Sequence, residues 1–176
     1  MEKKTIIFDL DGTLALVDKR VEKSLIPTES SSDGEGMNWD IFFDGQNVLT
    51  LDEPNYPVIS MAQMYYEKGF NIVIFSGRND RSYEETQQWL EEYEVPYNLL
   101  VMRPDKFKDK SWPIASGNPA TKAMRFMPDE ILKKEMLDTF VDIDDVFMCV
   151  DDRQKVVDMW RENGLTCFQV APGDFK

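Results

Sequence analysis

Asp9 and Asp11 stand two residues apart in the stretch DLDGT, with Gly12 and Thr13 directly after them. Carboxylates at this spacing, with a glycine to let the chain turn, are hard oxygen donors suited to a divalent cation such as Mg²⁺. A second acidic pair, Asp151-Asp152, follows the apolar run FMCV, and Ser76-Gly77-Arg78 follows VIF. Together these groups fit hydrolysis of a phosphate monoester. In that chemistry Asp9 attacks phosphorus and carries the phosphoryl group as an aspartyl-phosphate. Asp11 protonates the departing alkoxide, then activates the water that cleaves the intermediate. Thr13 and Ser76 donate hydrogen bonds to the phosphoryl oxygens. Asp151 completes the metal site, and Asp152 ligates through water or steadies a neighbour. A lysine early in the helix before the Asp151 strand, Lys133 or Lys134, bridges Asp9 and the phosphate.

Charge makes the cation necessary. Asp9, Asp11, Asp151, Asp152 and a phosphate dianion are balanced by Mg²⁺, one lysine, Arg78 and Arg20 once Asp11 is protonated as a general acid. Without metal and lysine, each unit of negative charge on the phosphate that faces a carboxylate at 4 Å costs about 4 kcal/mol at an effective dielectric near 20. Other chemistries are absent from the sequence. There is no histidine, so Ser-His-Asp triads, histidine-nucleophile phosphatases and HExxH zinc sites are excluded. Neither cysteine has an arginine six residues on, and no GxxxxGK[ST] loop occurs.

The elements that must position these groups follow from periodicity. Strands are expected near 4–9, 70–75, 97–102, 146–150 and 165–170. Helices fall between them: one opened by Pro57 and closed by Gly69, one over about 81–93 with Ser82 and Glu85 as a capping box, one started by Pro128, and one over 153–163. Alternation of this kind predicts an α/β, Rossmann-like parallel sheet with helices on both faces, and ligands bind beyond the carboxyl ends of its strands. Residues 14–55 break the alternation and are expected to form a small cap insertion after the first strand. From Glu29 to Asn55 there are seven acidic residues and no basic ones. Residues 103–127 reverse the sign, with Arg103, Lys106, Lys108, Lys110, Lys122 and Arg125 against Asp105 and Asp109, in a chain of net charge −13.

The 176 residues, 42% of them hydrophobic, suffice for one domain over 1–176 with a sizeable core. No apolar run is long enough to span a bilayer, and no signal-peptide pattern opens the chain. Cys149 and Cys167 sit in apolar runs and read as buried thiols of a reducing, cytoplasmic compartment.

These motifs, in this order, resemble the haloacid dehalogenase-like superfamily of aspartate-nucleophile phosphohydrolases. The resemblance implies a Rossmann-like core, Mg²⁺ as cofactor, and the nucleophile, acid/base, phosphate binders and metal ligands at Asp9, Asp11, Thr13, Ser76, Gly77, Arg78, a helix lysine, Asp151 and Asp152. The C-terminal stretch VDDRQKVVDMWRENGLTCFQVAPGDF is similar to the 3′-phosphatase domain of phage polynucleotide kinase/phosphatases, and DEILKKEML to a helix of that family. This implies Lys133 rather than Lys134 as the active-site lysine. It also implies phosphate-site arginines at Arg20, nine residues beyond Asp11, and at Arg78, and a further arginine of the region at Arg103. The implied substrate is a nucleic-acid 3′ end, DNA or RNA, in the host cytoplasm if the gene is phage-borne. Nucleotides or other small phosphate esters are the alternative substrates. A phosphoreceiver-like signalling domain and a catalytically inactive binding module are the readings from other classes.

Overall fold

The computed structural model describes residues 2–27, 35–105 and 122–173. From the amino end, β1 (Thr5–Phe8) leads into a run of short elements: β2 (Ala15–Leu16), α1 (Asp18–Ser24), β3 (Leu25–Pro27), β4 (Glu35–Met37), α2 (Trp39–Phe42), α3 (Gly45–Leu51) and β5 (Glu53–Pro54). The chain then alternates through α4 (Tyr56–Glu67), β6 (Asn71–Asn79), α5 (Tyr83–Glu92), β7 (Leu99–Arg103), α6 (Asp129–Phe140), β8 (Val146–Asp151), α7 (Gln154–Glu162) and β9 (Cys167–Gln169). Five strands pair side by side in the order β7-β6-β1-β8-β9, every pair parallel. After β7 the chain crosses back to lay β8 on the far side of β1. That reversal opens a crevice beyond the carboxyl ends of β1 and β8, where Asp9 and Asp151 stand.

Alternation along each strand divides the interior into two cores. Ile6 and Phe8, Ile72 and Ile74, Leu100 and Met102, and Met148 and Val150 pack with Val58, Ile59 and Ala62 of α4 and Trp89 and Leu90 of α5. Ile7, Val73, Phe75, Val101 and Cys149 face the other way, onto Leu132, Met136 and Leu137 of α6 and Val156, Val157 and Trp160 of α7. The same parity carries past the strand ends. Asp9 and Asp151 continue the face of Ile7 and Cys149, the face that α6 covers, so a side chain near the start of α6 can reach both.

Two expected details come out differently. The strand expected to stop at residue 75 runs on to Asn79, because pairing with β7 shifts register after Ser76 and resumes at Asn79 opposite Arg103. The intervening Gly77 and Arg78 are bulged out of the ladder, a device that aims side chains at a site. The expected capping box at α5 does not form. Ser82 has φ −101° and ψ 25°, not the extended backbone of an N-cap, and its side chain makes no capping bond. Asn79 takes that role one turn earlier, accepting from Arg81 N at 3.0 Å, while Ser82 Oγ donates to Asn79 O at 3.2 Å.

The insertion between β1 and α4 is tied off at its base, where β2 and β5 pair antiparallel. The side chain of Asn55 closes the same seam by donating to Thr13 O at 2.9 Å. Some of its acidic and amide side chains are helix caps: Asn38 accepts from Asp40 N and Ile41 N, and Asp44 from Gln46 N and Asn47 N. Residues 28–34 of this acidic stretch, and Lys106, Lys108 and Lys110 of the basic one, lie outside the described residues. Cys149 and Cys167 are free and buried, and burial pushes the Cys167 thiol up to about 12. Among the described residues no helix is long and apolar enough to cross a membrane.

Candidate active site

The chain leaves β1 through a tight turn in which the N–H groups of Thr13, Leu14 and Ala15 all point at Leu10 O. Gly12 makes the turn possible. Its φ is +84°, and a Cβ there would lie 2.1 Å from Asp152 Oδ2. The backbone N–H of Asp9 is fixed by Val150 O at 2.9 Å, locking the end of β1 to β8.

Lys133 reaches across from α6 as the strand parity requires. Its Nζ donates to Asp9 Oδ1 at 2.7 Å and to Asp151 Oδ2 at 2.9 Å. Lys134, by contrast, lies on the exposed side of α6 and pairs with Asp138. Thr13 Oγ1 lies 3.0 Å from Asp9 Oδ2 and 3.3 Å from Asp152 Oδ1, and its single proton serves one or the other. Asp151 Oδ1 accepts from the N–H groups of Asp152 and Arg153 at 2.9 and 3.3 Å, and Trp160 Nε1 donates to Asp151 Oδ2 at 3.4 Å.

Oxygens of Asp9, Asp151 and Asp152 all lie within 4.8 Å of one another. Burial first, then the neighbouring Asp151 and Asp152 charges, push Asp9 well above the ordinary carboxylate range despite Lys133. Burial also raises Asp152. Lys133 moves the other way from a normal buried lysine: burial disfavours its charge, but Asp151 and Asp9 outweigh that and raise it. Three carboxylates against one ammonium leave a surplus of negative charge among hard oxygen donors, which is the donor set that Mg²⁺ takes.

Asp11 belongs to a different cluster. Its Oδ1 accepts from Arg20 Nη2 at 2.7 Å and from Arg78 Nη2 and Nε. Both arginines are also held by Asp52, Arg20 through Nε at 2.8 Å and Nη2 at 3.1 Å, and Arg78 through Nη2 at 2.9 Å. Burial pushes Asp11 up, but Arg20 and Arg78 overcome it and hold the carboxyl down to about 2. The expectation that the Asp11 side chain shares the metal site with Asp9, Asp151 and Asp152 therefore meets a different arrangement: that carboxylate is turned to the arginines and lies outside the group of three.

One cleft of about 740 Å³ joins these clusters, lined by Asp9, Asp11, Gly12, Gly77, Arg78, Lys133, Asp151 and Asp152 at its floor. Arg20, Thr13 and Ser76 stand behind that floor, fully buried or nearly so. Ser76 Oγ accepts from Arg78 N at 3.0 Å, which shapes the bulge. Arg103 is a strut. It donates to Gly77 O at 2.8 Å, to Met124 O at 3.0 Å, to Met127 O at 2.6 Å and to Asp129. Asp129 also takes Arg153, and a Cβ on Gly77 would lie 2.5 Å from Asp129 Oδ1.

Two participants were not visible in the sequence reading. Asp52 looked like one more acid in an acidic insertion, and Asp129 like a first-turn helix acid. No signal marks Asp52, because the charge count above already balances without it.

Comparison with known proteins adds the class. Residues 37–175 match the model of the polynucleotide kinase PNKP phosphatase domain. The solved structure of a Pnkp1/Rnl/Hen1 complex superposes with a TM-score of 0.69 at 30% identity, covering 99% of this chain and 48% of that one. A structure of the Pnkp1/Rnl/Hen1 RNA repair complex gives 0.67 at 28% identity, covering 98% and 44%. The chain thus spans about half the length of the chains it matches there. A predicted phosphatase from Clostridium acetobutylicum shares the fold, with a TM-score of 0.64 at 14% identity over 96% of this chain and 85% of that one. The phosphoreceiver and inactive-module readings give way to this likeness. The chain belongs to the PNKP phosphatase-domain family of haloacid dehalogenase-like proteins, and it is a phosphoric monoester hydrolase.

Proposed function

We propose that this domain is a Mg²⁺-dependent polynucleotide 3′-phosphatase working through an aspartyl-phosphate on Asp9. The observation that carries the reading is Lys133, whose ammonium lies between Asp9 and Asp151 at 2.7 and 2.9 Å on the floor of the cleft. Lys133 leaves Asp9 oriented and gives the incoming phosphate a cationic contact beside the nucleophile. Asp9, Asp151 and Asp152 are the carboxylates that would hold Mg²⁺, which when bound neutralises charge and orients the phosphoryl group. Thr13 fixes the rotamer of Asp9 from behind.

Asp9 Oδ attacks phosphorus, the P–O bond to the 3′ oxygen breaks, and Asp11 gives that oxygen its proton. A water then attacks the aspartyl-phosphate and passes its proton to Asp11, releasing phosphate and restoring Asp9. Arg20 and Arg78 hold Asp11 ionised at rest, the form needed for the second step. Binding of the phosphate dianion competes for Arg78 and adds negative charge beside Asp11, so that the carboxylate takes up a proton from solvent before the first step and returns one to solvent after the second. Family membership and the likeness to a protein of an RNA repair complex support a nucleic-acid end as substrate. The domain 1–176, with the insertion at about 14–55 as its cap, is the catalytic unit.

Matched oligonucleotides bearing 3′- or 5′-phosphate, alongside mononucleotides, with and without Mg²⁺, test the proposal. Release from the 3′-phosphate that requires Mg²⁺ is expected. A preference for mononucleotides of about tenfold or more moves the substrate to nucleotides or other small phosphate esters, a reading that the net charge of −13 favours.

A further inference from the structure

The cleft is wider than a phosphate needs, and its upper walls are aromatic. In the insertion Trp39 is 58% exposed, and at the end of the 3₁₀ turn Lys122–Phe126 Phe126 is 77% exposed. Both line the cleft whose floor holds Asp9 and Lys133. We infer that Trp39 and Phe126 form a stacking subsite for the nucleobases of a single-stranded 3′ end, an inference that rests on the phosphatase reading above and adds how the substrate is gripped.

A buried arginine fixes the segment that carries each ring. Trp39 stacks on Phe43 with ring centres 5.7 Å apart and planes 20° apart, and takes an edge contact from Phe42 at 5.6 Å. Phe42 is fixed in turn by Arg20, whose guanidinium lies 4.3 Å from the ring centre and whose Nη1 donates to Phe42 O at 3.0 Å. The indole is thus backed on one side and open on the other, and the chain of contacts from it ends at Asp11. Phe126 closes a turn that Arg103 pins by three backbone carbonyls, Met124, Arg125 and Met127. Trp39, packed in this way, loses little freedom when a ligand covers it, and that preorganisation favours binding; for Phe126 it is the backbone of the turn that is fixed.

Chemistry selects the occupant. The ligand must present a phosphate ester to Lys133 and Asp9 and, a few ångströms outward, flat apolar faces to Trp39 and Phe126. The same cleft is lined by Arg81, Arg125 and Arg153, each partly exposed and paired with a carboxylate, Asp40, Asp105 and Asp129 in turn, cations that suit the next phosphodiester along a strand. A polynucleotide end has all three features in that order. Stacking of bases on aromatic side chains is tolerant of sequence, so the subsite favours single-stranded ends without reading them.

The test compares kcat/KM, with Mg²⁺ present, for a short 3′-phosphorylated oligonucleotide and for the same strand whose terminal nucleotides are abasic. The unaltered protein is expected to prefer the base-bearing strand by about tenfold or more. Loss of one ring, at about 1–3 kcal/mol per stacked base, cuts that preference by at least about fivefold. Trp39→Ala, Trp39→Leu and Phe126→Ala should each do so, whereas Trp39→Phe should keep most of it. The leucine variant keeps an apolar side chain without a stacking face, and melting temperatures check that all variants fold. Equal turnover of the two strands by the unaltered protein, or a preference that survives both alanine variants, overturns the stacking subsite alone. Hydrolysis of small esters with no oligonucleotide turned over overturns the polynucleotide reading, and the subsite with it.

Discussion

Two ionic clusters share the floor of the cleft and differ in one respect that decides what each does. Arg20, Arg78, Asp11 and Asp52 are two cations and two anions, buried and mutually hydrogen-bonded. Asp9, Asp151, Asp152 and Lys133 are three anions and one cation. The first cluster is closed: its charges are spent on one another, and it bolts the cap, through Arg20 and Asp52, to the catalytic loop and to β6. The second is open: its carboxylates outnumber its cation three to one. Both combine aspartates with basic side chains; stoichiometry separates a charge-balanced cluster that fixes Asp11 in place from one that is short of a cation.

If so, removing one carboxylate from each should have opposite consequences. Asp9→Asn is expected to cut phosphate release by at least about a thousandfold, since the nucleophile is gone. In metal-free buffer it should leave the melting temperature no lower, because it relieves repulsion with Asp151 and Asp152. Asp52→Asn should instead destabilise by about 3 kcal/mol or more, the cost of leaving two buried guanidiniums to share the single carboxylate of Asp11. For a chain of this length that is a fall of roughly 6–12 °C in Tm. Similar losses of Tm in the two variants, measured side by side without metal, would abolish the distinction between closed and open clusters.

That distinction also marks how far the sequence could be read. Asp9, Asp11 and Asp151 were legible because each ends an oily strand, where a carboxylate is out of place unless it works. The sheet and its order of elements were legible for the same reason, through Ile6, Val73 and Val101 and their alternating neighbours. Asp52 was not, because a buried acid and a solvated acid look alike in a polar insertion, and burial there is set by tertiary packing against Trp89, whose Nε1 donates to Asp52 O at 3.1 Å. Lys133 was half legible. It shares a helix face with Met136, Leu137 and Phe140, three, four and seven residues on, whereas Lys134 faces Asp138. Helix phase alone could have separated the two lysines. The role of Arg103 as a strut depends on hydrogen bonds to the distant carbonyls of Gly77, Met124 and Met127, which no local pattern records.

The open cluster should respond to Mg²⁺ and the closed one should not. At about a hundred times its dissociation constant the ion stabilises by about 2.7 kcal/mol. Thermal melts should show that gain for the unaltered protein and for Asp52→Asn, each from its own baseline, and lose it in Asp151→Asn. A gain that persists in Asp151→Asn would place the ion elsewhere.

Titration gives a smaller effect, with opposite signs at Asp11 and Asp9, while burial raises Asp52 despite both arginines. Asp11 is held at about 2, below the ordinary 3.8, because Arg20 and Arg78 outweigh its burial. Its stabilisation, roughly 2 kcal/mol, is full above pH about 4 and is lost as pH falls through about 2. Asp9 is raised by burial and by Asp151, so its ionisation costs stability, with no penalty below about pH 4 and a growing one above. In metal-free melts the deficit of Asp11→Asn should therefore shrink on acidification, and any advantage of Asp9→Asn should shrink as well, since both vanish once the carboxyls are protonated. An Asp9→Asn advantage that grew as pH fell would mean the Asp9 carboxylate is stabilised by Lys133 more than it is repelled by its neighbours.

Lys134 and Asp138 supply the third case, the same kinds of charge placed in water. Their pair lies one turn apart on the outer face of α6, with side chains 37% and 55% exposed, and such i,i+4 pairs contribute about 0.3–0.5 kcal/mol. Lys134→Ala should accordingly change stability by no more than about 0.5 kcal/mol, leave the Mg²⁺ response in place and spare phosphate release, whereas Lys133→Ala should abolish release. A loss of turnover at Lys134 comparable with that at Lys133 would mean that α6 is rotated from the phase in which Lys133 points at Asp9, and the open cluster would then have a different cation at its centre.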